Sequence, residues 1–312
     1  MEKRNILVTG GAGFIGSAIV NKLAENARNN IVAADNLLTG SRKRLNTASN
    51  ITFIKADVNN YRDIASIFHR FTFDYVFHYA AVVGVERTLN NPIMVLDDLN
   101  GIKNILNLCK NTSVKRIFYS SSSEVYGEAI ETPQNELTTP LNSRLPYAIV
   151  KNAAEAFIKS YHQEFGLNYT IFRFFNTYGP MQSKDFVISK FIAAALKNED
   201  ITIYGDGTQS RTFCFVNDNI SACINAFEKE LFINDVVNIG SSKEVSILEL
   251  AEAVVEVANS NSKIKHLPPL KEGDMQRRFP DTRKMEKLLE REPIPLKEGL
   301  AKIISKADFI LE

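Results

Sequence analysis

Tyr147 and Lys151 stand four residues apart in a segment that begins at Pro146 and continues through apolar residues. On a helix, side chains at this spacing share one face, and a proline suits the first turn. An ammonium group beside a phenol lowers the phenol pKa, which is ordinarily about 10, by roughly 1–3 units. The pair is therefore a candidate general base that removes a proton from a substrate hydroxyl.

Further polar groups for the same chemistry stand in the serine run Ser120–Ser123, directly after the apolar segment 115–119. If that segment is a buried strand, the run lies at the carboxyl end of the strand, where α/β proteins bind their ligands. A serine there could offer its hydroxyl to the substrate oxygen that the tyrosine deprotonates. Glu124 follows the run and adds a carboxylate.

A dinucleotide site is indicated by T-G-G-A-G-F-I-G, residues 9–16, which lies between an apolar run and a segment of helical periodicity. Gly10, Gly13 and Gly16 permit a tight turn and a close approach of the backbone to a pyrophosphate. The helix that follows would aim its free N–H groups at the negative charge.

Asp35 ends the next apolar run, 31–35, at roughly the 20-residue spacing at which a carboxylate meets the adenosine ribose. A carboxylate accepts hydrogen bonds from ribose hydroxyls and repels a 2′-phosphate, so NAD is favoured over NADP. Arg42, Lys43 and Arg44 follow closely and are either a solvated surface or a site for such a phosphate. With NAD as hydride acceptor and a tyrosine base, the predicted chemistry is alcohol oxidation.

The elements that position these residues repeat regularly along the chain. Short runs rich in Val, Ile and Phe alternate with longer stretches of helical periodicity, which is typical of parallel strands buried by helices on both faces. The predicted fold is a doubly wound parallel α/β sheet of the Rossmann type, with a smaller C-terminal α/β substrate lobe. The six predicted strands are residues 5–8, 31–35, 51–54, 74–78, 115–120 and 169–174.

Polar or small residues cluster where the predicted strands end, which is where a ligand is expected. His78, at the end of the fourth strand, is interpreted as a partly buried residue beside the cofactor rather than a catalytic one. The strand-end positions are Gly10, Asp35, Asp57, Ala80, Ala81, Ser120 to Glu124 and Asn176.

The alternation of strands and helices stops after residues 176–180, and turn-rich segments with short helices follow. We predict an NAD-binding domain over 1–177, to which part of 213–240 returns, and a mainly substrate-binding lobe over 178–312. At 312 residues and 45% hydrophobic composition, the chain can bury a core of this size.

The composition also bounds the partners. A net charge of +1 and the lack of a basic stretch interleaved with aromatic residues argue against nucleic acid. The first residues do not resemble a signal peptide and no apolar run reaches the roughly 18 residues of a membrane span, so a cytoplasmic protein without a membrane partner is expected. Three cysteines and four histidines without ligand spacing predict neither disulfides nor a metal site.

Taken together, the motifs resemble the extended short-chain dehydrogenase/reductase family, in particular its NAD-dependent epimerase/dehydratase enzymes that act on nucleotide sugars. The similarity spans nearly the whole chain. It rests on residues 9–16, 35–37, 57–58, 78–81, 120–127, Tyr147 with Lys151, 173–180, 205–211 and 276–281.

The resemblance implies a catalytic triad of Ser122, Tyr147 and Lys151, and it places Asp57 and Val58 at the adenine. The cofactor positions are Gly10, Gly13, Phe14, Ile15, Gly16, Asp35, Asn36, Asp57, Val58, Ala80, Ala81, Ser120, Tyr147 and Lys151. The substrate's phosphates and ribose would be bound by Asn176, Arg211 and Arg277 or Arg278. One departure is Asp98, which stands where the family usually has an asparagine, so the local hydrogen bonding differs.

The resemblance further implies oxidation at the sugar C4 to a 4-keto intermediate, after which family members diverge. Glu124 lies where 4,6-dehydratases and nucleotide-uronate decarboxylases keep an acid, whereas Tyr147–Lys151 and the segment 82–92 look epimerase-like. We therefore predict a C4 epimerase. Alternatives are a 4,6-dehydratase or decarboxylase that uses Glu124, an open-cycle dehydrogenase that releases its keto product, and a non-catalytic NAD-binding regulator.

Two predicted helices, 92–110 and 146–165, carry apolar residues on more than one face. One face would pack on the sheet, and the other would suit the paired-helix interface of the resembling proteins, so a homodimer is expected. The sequence does not distinguish the nucleotide or the sugar.

Overall fold

The computed structural model describes residues 3–128, 130–269 and 277–306. Its strands are β1 (Arg4–Thr9), β2 (Asn29–Asp35), β3 (Ile51–Lys55), β4 (Tyr75–His78), β5 (Arg116–Ser122), β6 (Asn168–Phe174), β7 (Thr177–Tyr178), β8 (Ile201–Tyr204), β9 (Ser210–Thr212), β10 (Cys214–Phe215), β11 (Asp235–Ile239), β12 (Glu244–Ser246) and β13 (Ile264–Leu267).

The helices cover the sheet and fill the C-terminal part of the chain. They are α1 (Phe14–Ala24), α2 (Tyr61–Arg70), α3 (Val85–Asn90), α4 (Pro92–Leu96), α5 (Asp98–Lys110), α6 (Pro146–Phe165), α7 (Val187–Leu196), α8 (Val216–Glu228), α9 (Ile247–Ala258), α10 (Arg283–Leu289) and α11 (Leu296–Ile304).

Seven strands form the central parallel sheet, in the order β11-β6-β5-β4-β1-β2-β3. The registers of β1 with β2 and β4, of β2 with β3 and of β4 with β5 are all parallel. The six predicted strands are β1 to β6, so the doubly wound fold predicted from the apolar runs is confirmed. Strand order reverses beside β1, which brings the ends of β1 and β4 together where ligands bind in such sheets.

Each face of the sheet packs against helices because both faces are apolar. On one face, residues such as Val76 and Ile117 join a core with α2, α5 and α6. On the other, Phe77 stacks on Phe118 at 4.4 Å between ring centroids, and Phe227 of α8 meets Phe118 edge-on at 5.7 Å. Alternate residues of one strand thus serve two cores, as expected for a parallel sheet.

The predicted helix over 92–110 is divided in the structure, which corrects the continuous segment expected from the sequence. α4 ends at Leu96 and α5 begins at Asp98. Asp98 is buried, and its Oδ2 accepts a hydrogen bond from the Val82 N–H at 2.8 Å. This hydrogen bond ties the first turn of α5 to the segment that follows β4.

The described residues fall into two compact units. The first comprises segments of Met1–Val125, Pro146–Arg173 and Ile220–Val237, and it holds most of the sheet. The second comprises segments of Tyr126–Leu145, Phe174–Asn219 and Asn238–Glu312.

Short strand pairs organise the second unit, namely β7 with β10, β9 with β12 and β8 with β13. A buried carboxylate anchors its C-terminal part: Asp218 accepts hydrogen bonds from the Arg291 guanidinium at 2.6 Å and from the Ile294 N–H at 2.8 Å. None of the helices in the described ranges is both long and apolar enough to cross a membrane.

Candidate active site

The glycine-rich turn joins β1 to α1 as the sequence predicts. Gly10 has a positive φ of 66°, and a Cβ built on it would lie 2.7 Å from the Ala80 nitrogen. A Cβ on Gly16 would collide with the Gly10 carbonyl oxygen. Only glycine fits at either place, which leaves the backbone bare at the N-terminus of α1. This cradle fits a pyrophosphate, with Phe14 and Ile15 in the first helical turn.

Asp35 ends β2 beside this turn. One carboxylate oxygen accepts the Ala12 N–H at 3.0 Å and the other accepts the Leu37 N–H at 2.7 Å. The side chain is buried and held in place, and each oxygen retains acceptor capacity for a ribose hydroxyl. The residue thus has the geometry that its predicted role at NAD requires.

The predicted adenine positions follow β3. Asn36 donates from Nδ2 to Asp57 at 3.1 Å, so the ends of β2 and β3 are linked by side chains. The Val58 carbonyl accepts from Asn104 of α5 at 2.9 Å, and the Val58 side chain is buried. These contacts form a partly polar, partly apolar wall next to Asp35.

Ala80 and Ala81 continue from β4, beside Gly10. The Ala80 N–H donates to Thr9 Oγ1 at 3.4 Å, and the same hydroxyl lies 2.7 Å from His78 Nδ1. His78 is buried, and burial together with the nearby Lys151 charge lowers its pKa to about 3. The imidazole is therefore neutral and serves as a structural partner of Thr9, more deeply buried than the sequence suggested.

Tyr147 and Lys151 share one face of α6, as predicted. Lys151 Nζ donates to the Ser120 carbonyl at 2.6 Å, which joins α6 to β5. It also lies 4.8 Å from the ring centre of Tyr119 and 5.8 Å from that of Tyr147. The cation is thus placed beside the phenol whose ionisation it would favour.

Burial lowers the pKa of Lys151 to about 8, against the opposing charges of Asp98 and then Glu155. The side chain is 3% exposed, so water screens these interactions little. An ammonium that titrates near neutral pH is suited to assist proton transfer.

Ser122 and Glu124 lie at the carboxyl end of β5, in the same unit as Tyr147. The Glu124 N–H donates to Ser122 Oγ at 3.2 Å, in a 3-10 turn that spans Ser123–Tyr126. Both side chains are half-buried. The turn brings a hydroxyl and a carboxylate to one end of the sheet.

The predicted substrate residues all belong to the second unit. Asn176, with φ of 36°, donates to the Thr212 carbonyl at 3.0 Å. Arg211 of β9 is buried and donates to the Ser210 carbonyl at 2.8 Å, and Arg278 is buried as well.

Arg277, by contrast, is exposed and forks onto Glu244, with distances of 2.6 and 2.8 Å from its two nitrogens to the two carboxylate oxygens. A backbone bridge ties it to Ser210, the neighbour of Arg211. The fold of this unit therefore places Arg277 next to the strand that carries Arg211.

Two residues at the site were not found by sequence reasoning. Glu155 lies one helical turn after Lys151 and forms an ion pair with buried Arg173. Its spacing of four residues from Lys151 was the one sequence signal that could have indicated it. Arg44, considered only for a phosphate, donates to the carbonyls of Ala12 at 3.3 Å and Thr39 at 3.0 Å. It therefore ties the loop after β2 to the glycine turn.

No group of three or more histidine, cysteine, aspartate or glutamate side chains suited to a metal ion occurs within the described ranges. The arrangement as a whole provides a dinucleotide cradle, a tyrosine base with an adjacent cation, and a serine hydroxyl. Such an arrangement can remove a proton from a hydroxyl while the same carbon is oxidised.

Comparison with known proteins agrees with this chemistry. Residues 6–240 match the model of the NAD dependent epimerase/dehydratase family. UDP-glucuronic acid decarboxylase 3 of Arabidopsis thaliana is 37% identical over 319 residues, covering 98% of this chain and 89% of that protein.

Solved structures are similar over nearly the full length. UDP-glucose 4-epimerase of Thermotoga maritima, determined with UDP-glucose, superposes with a TM-score of 0.92 at 32% identity, covering 99% of this chain and 100% of that one. UDP-N-acetylglucosamine 4-epimerase of Methanobrevibacter ruminantium gives a TM-score of 0.89 at 33% identity, with 98% of each chain covered.

Proposed function

Because this chain belongs to the NAD-dependent epimerase/dehydratase family, we propose that it is a UDP-sugar 4-epimerase. The family assignment makes it an NAD-dependent enzyme of nucleotide-sugar metabolism. The oxidation step of this proposal is carried by the contact of Lys151 with Ser120, which sets the cation beside Tyr147 at the end of β5. The two solved structures described above are 4-epimerases, which supports the subtype.

In this proposal Tyr147, as phenolate, removes the proton from the C4 hydroxyl of the sugar. Lys151 stabilises the phenolate by its charge, and Ser122 holds the same substrate oxygen by a hydrogen bond. NAD, when bound against Gly10 and Asp35, supplies the reversible hydride acceptor at C4. Once the 4-keto sugar has turned over, the hydride would return to the opposite face of C4, which gives the epimer, and Tyr147 returns the proton to the C4 oxygen.

Substrate recognition falls to the second unit in this proposal. One guanidinium group can donate two parallel hydrogen bonds to a phosphoryl group. This suits Arg211, Arg277 and Arg278 to binding a diphosphate, and Asn176 is proposed to bind beside them. Arg277 would exchange Glu244 for a phosphate. The uridine is proposed from the relatives, which are named for UDP-sugars.

A second candidate, a nucleotide-uronate decarboxylase, is favoured by one observation. Glu124 is anchored next to Ser122 at the end of β5, and a relative of 37% identity is a UDP-glucuronic acid decarboxylase. A carboxylate there would act at C5 once C4 is a ketone. A 4,6-dehydratase would use the same group for loss of water.

Product analysis separates these reactions. The purified protein is incubated with NAD and one nucleotide sugar at a time: UDP-glucose, UDP-N-acetylglucosamine or UDP-glucuronate. The products are identified by NMR and mass spectrometry. A C4 epimer of unchanged mass, formed also by Glu124→Gln, supports epimerisation. Loss of carbon dioxide or water that disappears in Glu124→Gln overturns it.

The role of Tyr147 is tested in the same assay. Tyr147→Phe is expected to lower kcat by roughly 10²–10⁴-fold, the usual contribution of a general base. Tyr161→Phe is the matched control, because Tyr161 lies on the same helix and donates to Asn107 at 2.9 Å. Stoichiometric accumulation of reduced nicotinamide would indicate an open-cycle dehydrogenase. Absence of conversion of every nucleotide sugar tested would indicate a non-catalytic NAD-binding regulator.

We also propose that the protein is a homodimer that pairs through α4 and α6. Ile93 and Leu96 of α4 are 75% and 54% exposed, and Ile149 and Phe157 of α6 are 50% and 57% exposed. The two helices pack together, so these side chains form one apolar face that a second copy would cover. Light scattering at micromolar concentration should give twice the chain mass, and Phe157→Glu should give the monomer mass.

A further inference from the structure

The loop that follows β2, residues 36–44, folds back onto the glycine-rich turn, and we call it the post-β2 loop. The Ser41 N–H donates to the Ala12 carbonyl at 2.9 Å, and Arg44 Nη1 donates to the same carbonyl at 3.3 Å. The Ala12 N–H donates to Asp35 Oδ2 at 3.0 Å. Both backbone polar groups of Ala12, which lies within the turn, are therefore held by the end of β2 and by the loop after it.

Arg44 joins the end of the post-β2 loop to two other parts of the first unit. Its Nη1 donates to the Thr39 carbonyl at 3.0 Å as well as to the glycine turn. Its own carbonyl accepts Asn21 Nδ2 of α1 at 2.8 Å, and Asn21 Oδ1 accepts the Asn46 N–H at 2.9 Å. The Arg44 side chain is half-buried. This one residue thus links the glycine turn, the loop and α1.

The three consecutive basic residues of the post-β2 loop have different surroundings. Arg42 is exposed and lies over the ring of Phe53 in β3, at 4.9 Å from the ring centre. Lys43 is exposed. Within the described part of the chain, Arg44 is the one of the three that donates to the glycine turn. This difference favours a structural role for Arg44 over a phosphate site shared by all three.

The post-β2 loop also borders the carboxylate that is proposed to bind the ribose. Asp35 Oδ1 accepts the Leu37 N–H at 2.7 Å, and a Cβ built on Gly40 would lie 2.5 Å from the same oxygen. Leu37 has a φ of 65°, in the left-handed region that leucine rarely adopts. Such a conformation persists only where the surrounding contacts determine it. The geometry at Asp35 therefore depends on the loop being held in place.

We propose that Arg44 is a positioning residue for NAD: its hydrogen bonds to the Ala12 and Thr39 carbonyls hold the post-β2 loop against the glycine turn, in the conformation that binds the cofactor. This role rests on the proposed placement of NAD at the glycine turn and Asp35, and it does not depend on the sugar or on the reaction. A ligand that spans both places binds more tightly when they are fixed beforehand. Its apparent affinity falls with the fraction of molecules in which the loop is in place.

The charges around Ala12 act in the same sense as the hydrogen bonds. Burial lowers the pKa of Arg44, and the Asp35 carboxylate opposes that shift. The guanidinium stays charged, since its pKa in proteins is above about 12. A charged donor makes stronger hydrogen bonds than a neutral one. A lysine at position 44 would keep the charge, whereas a methionine would keep only the length of the side chain.

Hydrogen exchange tests the positioning without any ligand. Because the Ser41 N–H is bonded to the Ala12 carbonyl, its exchange rate, followed by NMR in 15N-labelled protein, reports how often the loop leaves the glycine turn. We expect this rate to rise about tenfold in Arg44→Met, the scale of losing a hydrogen bond from a charged donor, and less in Arg44→Lys. Lys43→Met, which removes a neighbouring exposed charge, is the matched control and should leave the rate unchanged. An unchanged Ser41 rate in folded Arg44→Met overturns the proposal.

The unmodified protein provides a second test. Two carbonyl partners on one nitrogen hinder rotation of the Arg44 guanidinium, so its two Nη atoms should give separate 15N resonances, assigned by their absence from Arg44→Lys. The exposed Arg42 should give one averaged signal. A freely rotating Arg44 contradicts the proposal even if Arg44→Met does not fold.

Isothermal titration measures the consequence for the cofactor. Arg44→Met should raise the Kd for NAD about 3- to 10-fold, with partial recovery in Arg44→Lys and little change in Lys43→Met. A loss of affinity confined to NADP would instead assign Arg44 to a 2′-phosphate and overturn the proposal. Failure of the proposed cofactor site itself appears as absence of NAD binding by the unmodified protein, which leaves the Ser41 exchange rates unaffected.

Discussion

Glu155 of α6 and Arg173 of β6 form a two-pronged ion pair in the interior of the first unit. Arg173 Nε and a terminal nitrogen donate to the two carboxylate oxygens at 2.9 and 2.6 Å, and the side chains are 1% and 2% exposed. Ser121 of β5 donates to the same carboxylate. The pair thus joins β5, β6 and the helix that carries Tyr147 and Lys151.

Removal of one partner from this pair should be costly. Glu155→Ala leaves a buried guanidinium without its counter-charge and is expected to lower the free energy of unfolding by about 3–5 kcal/mol. Urea unfolding at neutral pH measures the change. Lys297→Ala, which removes an exposed pair with Glu256, should cost only about 0–1 kcal/mol. Equal losses in the two variants would contradict the structural role of Glu155.

The Lys151 ammonium should limit activity at alkaline pH. Its pKa of about 8 means that the charge beside Tyr147 is present below this pH and is lost as the pH rises through it. We expect kcat/KM to fall about tenfold per pH unit above this point, since the phenolate then loses its stabilising cation. In Lys151→Arg the side chain stays charged, so the limb near this pH should disappear, although the rate is lower.

His78 should make the fold sensitive to acid. Its pKa is lowered from 6.5 to about 3, so below pH 6.5 the unfolded chain binds a proton that the folded chain does not. Stability is therefore lost as the pH falls, by about 2 kcal/mol at pH 5. Denaturation at pH 7 and 5 measures this loss, which should be smaller in His78→Gln; the same loss in both proteins would assign it to other groups.

Asp35 should govern cofactor choice. Asp35→Ala removes an acceptor for the ribose hydroxyls and is expected to weaken NAD binding by roughly 10- to 100-fold. The ratio of NAD affinity to NADP affinity should fall as well. Isothermal titration with both cofactors measures this. Asp74→Ala, which removes a carboxylate at the start of β4, is the control and should leave NAD affinity unchanged. Undiminished NAD binding by Asp35→Ala would remove the residue from the site.

Most of the sheet could be predicted from the sequence because a parallel strand buried on both faces must be a nearly continuous apolar run. β2, with I-V-A-A before Asp35, shows how such a run also fixes the strand end and hence the polar residue there. The glycine turn was predictable for a similar reason, since backbone geometry at Gly10 leaves no room for a side chain.

The remaining features depend on contacts that a local pattern does not encode. The segment 92–110 breaks before Asp98 although neither glycine nor proline stands there, and Asp98 accepts a hydrogen bond from Val82, 16 residues away in the chain. The Glu155 and Arg173 pair depends on which strand lies beside α6. The predicted roles of Asn176, Arg211, Arg277 and Arg278 stay predictions for the same reason, because binding a substrate requires groups brought together by the fold.

The position of β11 in the chain has a consequence for synthesis. This strand, Asp235–Ile239, is an edge strand of the sheet and pairs with β6, although 60 residues separate the end of β6 from the start of β11. During synthesis on the ribosome, the edge of β6 that will pair with β11 therefore stays unpaired until residue 239 has emerged. Unpaired strand edges pair with other chains, so the incomplete sheet is prone to aggregate until β11 has been synthesised.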